Sequence, residues 1–109
     1  MSKKRAIETT EAEELLKSNS LISNPTRFTI YFLLYLYRRI GFVELQRLLG
    51  LTPGNLDSHL RKLHEAGYIE MRKVFTLRGP RTAVQITPTG GQAFRAYASQ
   101  LRKLLERVK

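Results

Sequence analysis

The sequence predicts a mainly α fold with one small β-hairpin, an α+β domain. Three observations predict it. The run LQRLLGLTPGNLDSHLRKLHEAGY (45–68) reads as two short helices joined by a tight turn. Two strand-like runs, YIEMRKVF (68–75) and TAVQIT (82–87), lie either side of a Gly-Pro turn signal. From Pro88 onward, apolar residues recur at spacings of three and four. At 109 residues and 42% hydrophobic, the chain is one globular domain, 1–109, rather than two domains or a disordered segment.

Within that domain, residues 1–22 form an N-terminal arm and helix, 24–87 the core, and 88–109 a C-terminal helix. Thr9 or Thr10 caps the first helix, which runs to about Ser18 with Leu15 and Leu16 on its apolar side. Asn24-Pro25 starts the next helix, with Asn as N-cap and Pro at the first helical position, and it continues to about Arg38. Phe28, Tyr31, Phe32 and Tyr35 form one stripe on it, and Ile30, Leu33, Leu34 and Tyr37 fill most of the rest. A helix apolar nearly all round needs cover on most sides, from a terminal helix or a second subunit. Ile40-Gly41-Phe42 reads as a short extended link. Val43–Leu49 is a helix stopped by Gly50 in a left-handed position. Thr52-Pro53 then caps a helix that ends at Ala66-Gly67. Thr76–Arg81 makes the tip of the hairpin. The final stripe, Phe94, Tyr97, Ala98, Leu101, Leu104, Leu105 and Val108, is long and one-sided. About 20 helical residues span roughly 30 Å, the width of a small domain. The stripe therefore overhangs its own domain and points to a homodimer contact.

Charge narrows the partners. Net charge is +10, and residues 71–109 carry nine basic groups against Glu106 alone. Such a field suits a polyanion. The absence of cysteine removes disulfides, thiolate metal sites and thiol nucleophiles. The densest apolar run, Ile30–Tyr37, is far short of the ~20 residues a spanning helix needs. No membrane partner is expected, and a cytoplasmic, nucleoid-associated placement is. His59 and His64 lie five apart, about 140° round a helix axis, and cannot share a metal. No nucleotide-binding glycine loop or Ser/His/Asp set is present, so the expectation is no enzyme, no cofactor and no metal. Gly90-Gly91 reads as geometry at a helix start rather than as a phosphate cradle.

The candidate DNA-binding residues follow from helix geometry. On the Thr52-capped helix, Leu56, Leu60 and Leu63 share the inward face. Gly54, Asn55, Ser58, Arg61, Lys62 and Glu65 lie opposite, with His59 on a shoulder. Short side chains near the helix start suit a major groove, where Asn55 can read adenine edges and Arg61 or Lys62 guanine or phosphate. The competing reading is a plain solvated face. In the hairpin, Lys73, Arg78 and Arg81 are set to meet a minor groove, against the alternative that charge merely blunts a sheet edge. Arg27, in the first turn of its helix, is a candidate phosphate clamp or an ordinary surface arginine. Arg38 and Arg39 carry the same ambiguity.

The runs FVELQRLLGLTPGNLDSHLRKLHEAGYIEMRKVF and GPRTAVQITPTGGQAFRAY, in this order and spacing, resemble the small winged-helix transcriptional regulators distantly related to the MarR and ArsR types. The resemblance covers roughly Asn24–Leu101. It implies a homodimeric regulator of double-stranded DNA, with a recognition helix at Thr52–Ala66 and a wing at Phe75–Ala83. It also implies dimerisation through terminal helices, here Leu15, Phe94, Tyr97, Leu101, Leu104, Leu105 and Val108. Two departures stand out: Phe42-Val43 replaces a polar cap, and the thiolate metal site of ArsR-type sensors is absent. A small-molecule effector is compatible with the resemblance but not indicated by these residues. A sequence-blind DNA-coating protein and a winged-helix protein–protein adaptor are the rival functions.

Overall fold

The computed structural model describes residues 20–108. The expected first helix and Leu15 lie outside them. The elements are α1 (Pro25–Tyr37), β1 (Arg39–Gly41), α2 (Phe42–Leu49), α3 (Pro53–Glu65), β2 (Ile69–Thr76), β3 (Gly79–Ile86) and α4 (Pro88–Leu105). This is the α+β winged-helix arrangement. No helix among the described residues is long and apolar enough to cross a membrane.

Three helices begin on the same device, a polar cap followed by proline. The Asn24 side chain accepts from Arg27 N at 2.9 Å, Thr52 Oγ1 from Asn55 N at 3.1 Å, and Thr87 Oγ1 from Gly90 N at 3.0 Å. Each satisfies a backbone donor that the helix cannot, while proline occupies a position whose N–H would be unpaired anyway. Helix α2 has no side-chain cap. Its start is set by Phe42 packing on the core, and its end by Gly50 at φ 64°.

The core gathers Ile30, Tyr31 and Leu34 of α1, Leu45 of α2, Leu56, Leu60 and Leu63 of α3, and Ile69 and Val84 of the sheet. Helix α4 closes it from the other side of α1. The Phe94 ring lies 5.8 Å from Phe28, 5.0 Å from Tyr31 and 4.9 Å from Tyr35. The aromatic stripe of α1 is thus covered mainly by the chain's own last helix. Phe32, Leu36 and Tyr37 stay exposed.

Two local expectations need correction. The link at Ile40–Phe42 is a strand: β1 pairs antiparallel with β3 through Arg39↔Gln85, Ile40↔Val84 and Gly41↔Ala83, and Phe42 already belongs to α2. The sheet has three strands in the order β1-β3-β2. Second, Gly79-Pro80 is not the hairpin tip. The turn is Leu77-Arg78, and Gly79 and Pro80 pair with Thr76 and Phe75. Proline is tolerated inside β3 because β1 reaches only Ala83 and leaves that side of β3 open.

Candidate nucleic-acid interface

The β2–β3 hairpin carries Arg72, Lys73, Arg78 and Arg81 against Glu70 alone, and α3 adds Arg61 and Lys62 beside Asp57 and Glu65. Leu56, Leu60 and Leu63 of α3 are fully buried, which fixes the helix's rotation about its axis. Thr52, Gly54, Asn55, Ser58, Arg61 and Lys62 therefore face solvent. Gly54, Ser58 and Lys62 line a shallow depression with Asp57, Arg61 and Glu65. Sequence reading missed Asp57, whose carboxylate accepts from the Arg61 guanidinium one turn later. The i,i+4 spacing was the available signal. This contact holds Arg61 along the helix and partly neutralises it, so Lys62 is the freer cation of the two.

His59 is half-buried and meets the buried Arg27. Arg27 is only 8% exposed. Its Nε donates to the Leu21 carbonyl, and its Nη1 lies 3.4 Å from His59 Nδ1. The expected phosphate clamp at Arg27 is therefore corrected: the side chain is turned inward and braces the start of α1 against α3. Burial first, then the neighbouring Arg27 and Lys62 charges, hold the His59 imidazole below its usual pKa. With Nδ1 accepting from Arg27, the neutral ring carries its proton on Nε2.

The hairpin extends the same cationic surface. Lys73, Arg78 and Arg81 are exposed. Arg72 forms an ion pair with Glu70 at 3.3 Å, while Arg81 Nη1 donates to Pro80 O at 2.9 Å. Thr76 ties the turn by accepting from Arg78 N at 3.1 Å and donating to Gly79 O at 2.8 Å. Arg38 and Arg39 lie at the opposite end of the sheet, where with Arg95 they line a cavity of about 560 Å³. Arg39 also borders a second hollow with Thr76 and Arg81 of the hairpin, so it adjoins this surface, whereas Arg38 does not line that hollow.

The first turn of α4 locks the exit of α3 in place. Thr87 N donates to Tyr68 O at 3.0 Å, and Thr87 Oγ1 donates to Gly67 O at 2.6 Å. The buried Tyr31 hydroxyl donates to Gly90 O, and burial, with Tyr68 nearby, raises its pKa far above the usual phenol value. Of the expected dimer residues, Phe94 and Tyr97 are buried within this chain. Leu101 and Leu104 are half-buried, and Leu105 and Val108 are exposed. Phe28, Phe32, Ala98, Leu101 and Leu105 border an open apolar hollow of about 420 Å³.

The comparisons with known proteins support the fold. The family described as a winged helix DNA-binding domain matches residues 26–105. An uncharacterized protein of Methanocaldococcus jannaschii, MJ0432, is 33% identical over 89 residues, spanning 82% of this chain and 97% of its own. A transcriptional regulator homologue from Pyrococcus horikoshii has a similar structure, with a TM-score of 0.84 and 36% identity over 92% of this chain and 98% of its own. The MepR protein of S. aureus, solved as a MepR–DNA complex, shares the fold at a TM-score of 0.68 and 15% identity, over 91% of this chain and 79% of its own.

Proposed function

The chain belongs to the winged helix DNA-binding domain family, and on that premise we propose that it is a transcriptional regulator that binds a specific double-stranded DNA site as a homodimer. Helix α3 would enter the major groove with Asn55 and Ser58 at base edges and Lys62 and Arg61 on bases or phosphates. The wing would lie at the adjacent minor groove, with Lys73, Arg78 and Arg81 near the sugar-phosphate backbone. Thr52 and Gly54 keep the helix start slim enough to approach the duplex.

One observation carries the reading. Asn55 and Ser58 are exposed on a helix whose three leucines are fully buried, so short polar side chains are held outward in a fixed orientation beside a basic hairpin. The naming of the Pyrococcus relative as a transcriptional regulator homologue, and the solution of MepR with DNA, support it. The exposed Leu105 on the rim of an apolar hollow, with Val108 also exposed at the end of the same segment, supports the dimer.

Selection from random duplexes with the full chain tests this. The expected product is a pseudo-palindrome whose half-sites are centred about 34–36 Å apart, or a multiple of that. Binding without an enriched motif would favour a DNA-coating protein. No duplex affinity at low salt would favour a protein–protein adaptor.

A further inference from the structure

The apex of the basic hairpin carries a large apolar side chain. Leu77 is fully exposed at the apex, and Phe75, two residues before it, is 83% exposed. Edge hairpins are usually blunted with charge or proline, and large apolar side chains there invite aggregation. Single exposed leucines are ordinary. Here, however, two large apolar groups sit together on a tip whose other prominent side chains are Lys73, Arg78 and Arg81. The turn beneath them is also braced. The Thr76 hydroxyl bonds to Arg78 N and Gly79 O, so Leu77 stands on a fixed platform.

Reach and width then decide what the tip can touch. The last buried residue of β3 toward the tip is Ala83, paired with Arg72. Leu77 lies five positions beyond Arg72, about 16 Å at ~3.3 Å per residue. A minor groove is about 6 Å wide. Two paired strands are about 4.8 Å apart before side chains are added, so the ribbon does not fit and only its turn enters. Leucine is among the side chains that proteins insert between base steps from the minor groove.

We propose that Leu77 is an apolar wedge that enters the minor groove, opens one base step and kinks the duplex, with Phe75 covering the sugar edge behind it. The proposal rests on the duplex binding proposed above and adds a deformation that the arginines alone do not require. Opening the step widens the groove and brings Arg78 and Arg81 to the flanking phosphates. It also creates a sequence preference without a base hydrogen bond, because pyrimidine–purine steps unstack most readily.

The experiment uses the full chain on a duplex recovered from random selection. Energy transfer between end labels reports the bend, and 2-aminopurine at the step facing the wing reports unstacking. The wild-type chain is expected to bend the duplex and raise the 2-aminopurine signal. Leu77→Ser should still bind and retain the preference set by Asn55 and Ser58, but lose both signals, while Leu77→Met keeps them. Replacing a TA step at that position by a stiff A-tract should weaken the wild type about tenfold and leave Leu77→Ser nearly unchanged. A straight duplex under tightly bound wild type, or equal bending by Leu77→Ser, would overturn the wedge and leave the regulator reading standing. If the wild type binds no duplex at all, the regulator reading itself fails and the wedge falls with it.

Discussion

Two adjacent glycines, Gly90 and Gly91, show how sharply a single position can depend on its surroundings. A Cβ built on Gly90 would lie 2.1 Å from the Tyr68 carbonyl oxygen, a backbone atom that cannot swing aside. A Cβ on Gly91 would meet only Arg95 Nη1 at 3.6 Å, an ordinary contact with a flexible side chain. Gly90→Ala should therefore push α4 off the exit of α3 and cost about 1–3 kcal/mol or more. Gly91→Ala should gain up to about 1 kcal/mol of helix propensity. Urea midpoints of the two variants should move in opposite directions, and movement in the same direction would refute the packing given for Gly90. His59 supplies a second residue-scale prediction. Its lowered pKa means the folded chain binds fewer protons at this site than the unfolded chain just below the usual value. Its contribution to stability is thus complete above about pH 6.5 and declines as the pH falls below that value. His59→Gln removes the titration, so the stability difference between wild type and variant should be larger at pH 8 than at pH 5.5. A constant difference across that range would rule out this role.

At the scale of elements, α3 separates the side chains that fold the chain from those proposed to read DNA. Leu60→Ala removes a fully buried side chain and should cost about 2–5 kcal/mol of stability, with binding lost alongside. Asn55→Ala changes an exposed side chain and should move stability by less than about 0.5 kcal/mol, while reducing discrimination between sites by about 1–3 kcal/mol. Melting curves and competition titrations on matched and altered sites would show the split; equal loss of affinity for every duplex would remove Asn55 from base reading. These elements were legible because their signals are local. Asn24-Pro25, Thr52-Pro53 and Gly50 act within one turn of chain, and the three α3 leucines repeat at helical spacing. What was not legible depended on distant partners. The strand at Arg39–Gly41 is too short to alternate, and it exists because β3 lies beside it. Gly79-Pro80 looks like a turn until the β2 register is known. Arg27 looks like a surface cation because the sequence does not show that Leu21 and His59 converge on it. Leu77 and Phe75 give no local signal of their proposed role for a related reason: their exposure follows from where the turn falls.

Across the whole molecule, charge and apolar surface are divided between two tasks, and the division predicts a coupled loss. The wing and α3 carry Lys73, Arg78, Arg81, Arg61 and Lys62 and α4 carries further exposed basic groups, whereas Leu105 and the hollow beside Phe32 form an apolar area, rimmed by Arg102 and Glu106, that the described residues leave open. In the proposed homodimer this area is the natural contact, and a stable one would bury about 1,200–2,000 Å² in total. Leu105 is exposed on the rim of that hollow, so Leu105→Glu places a charge there without removing a buried side chain or altering α3 or the wing. Sedimentation should shift from dimer to monomer while the melting of the isolated domain changes little. The salt dependence of DNA binding then gives an independent reading. The logarithm of affinity falls with the logarithm of salt by about 0.9 for each phosphate contacted. A dimer that seats two equivalent surfaces should show twice the slope of a monomer that seats one. Leu105→Glu should therefore roughly halve the slope on a two-half-site duplex, and it should bind a single half-site with the same slope it shows on the full site. An unchanged slope together with an unchanged sedimentation coefficient would place the contact between copies elsewhere. A monomeric wild type that still binds with the full slope would mean that one chain makes all of the phosphate contacts.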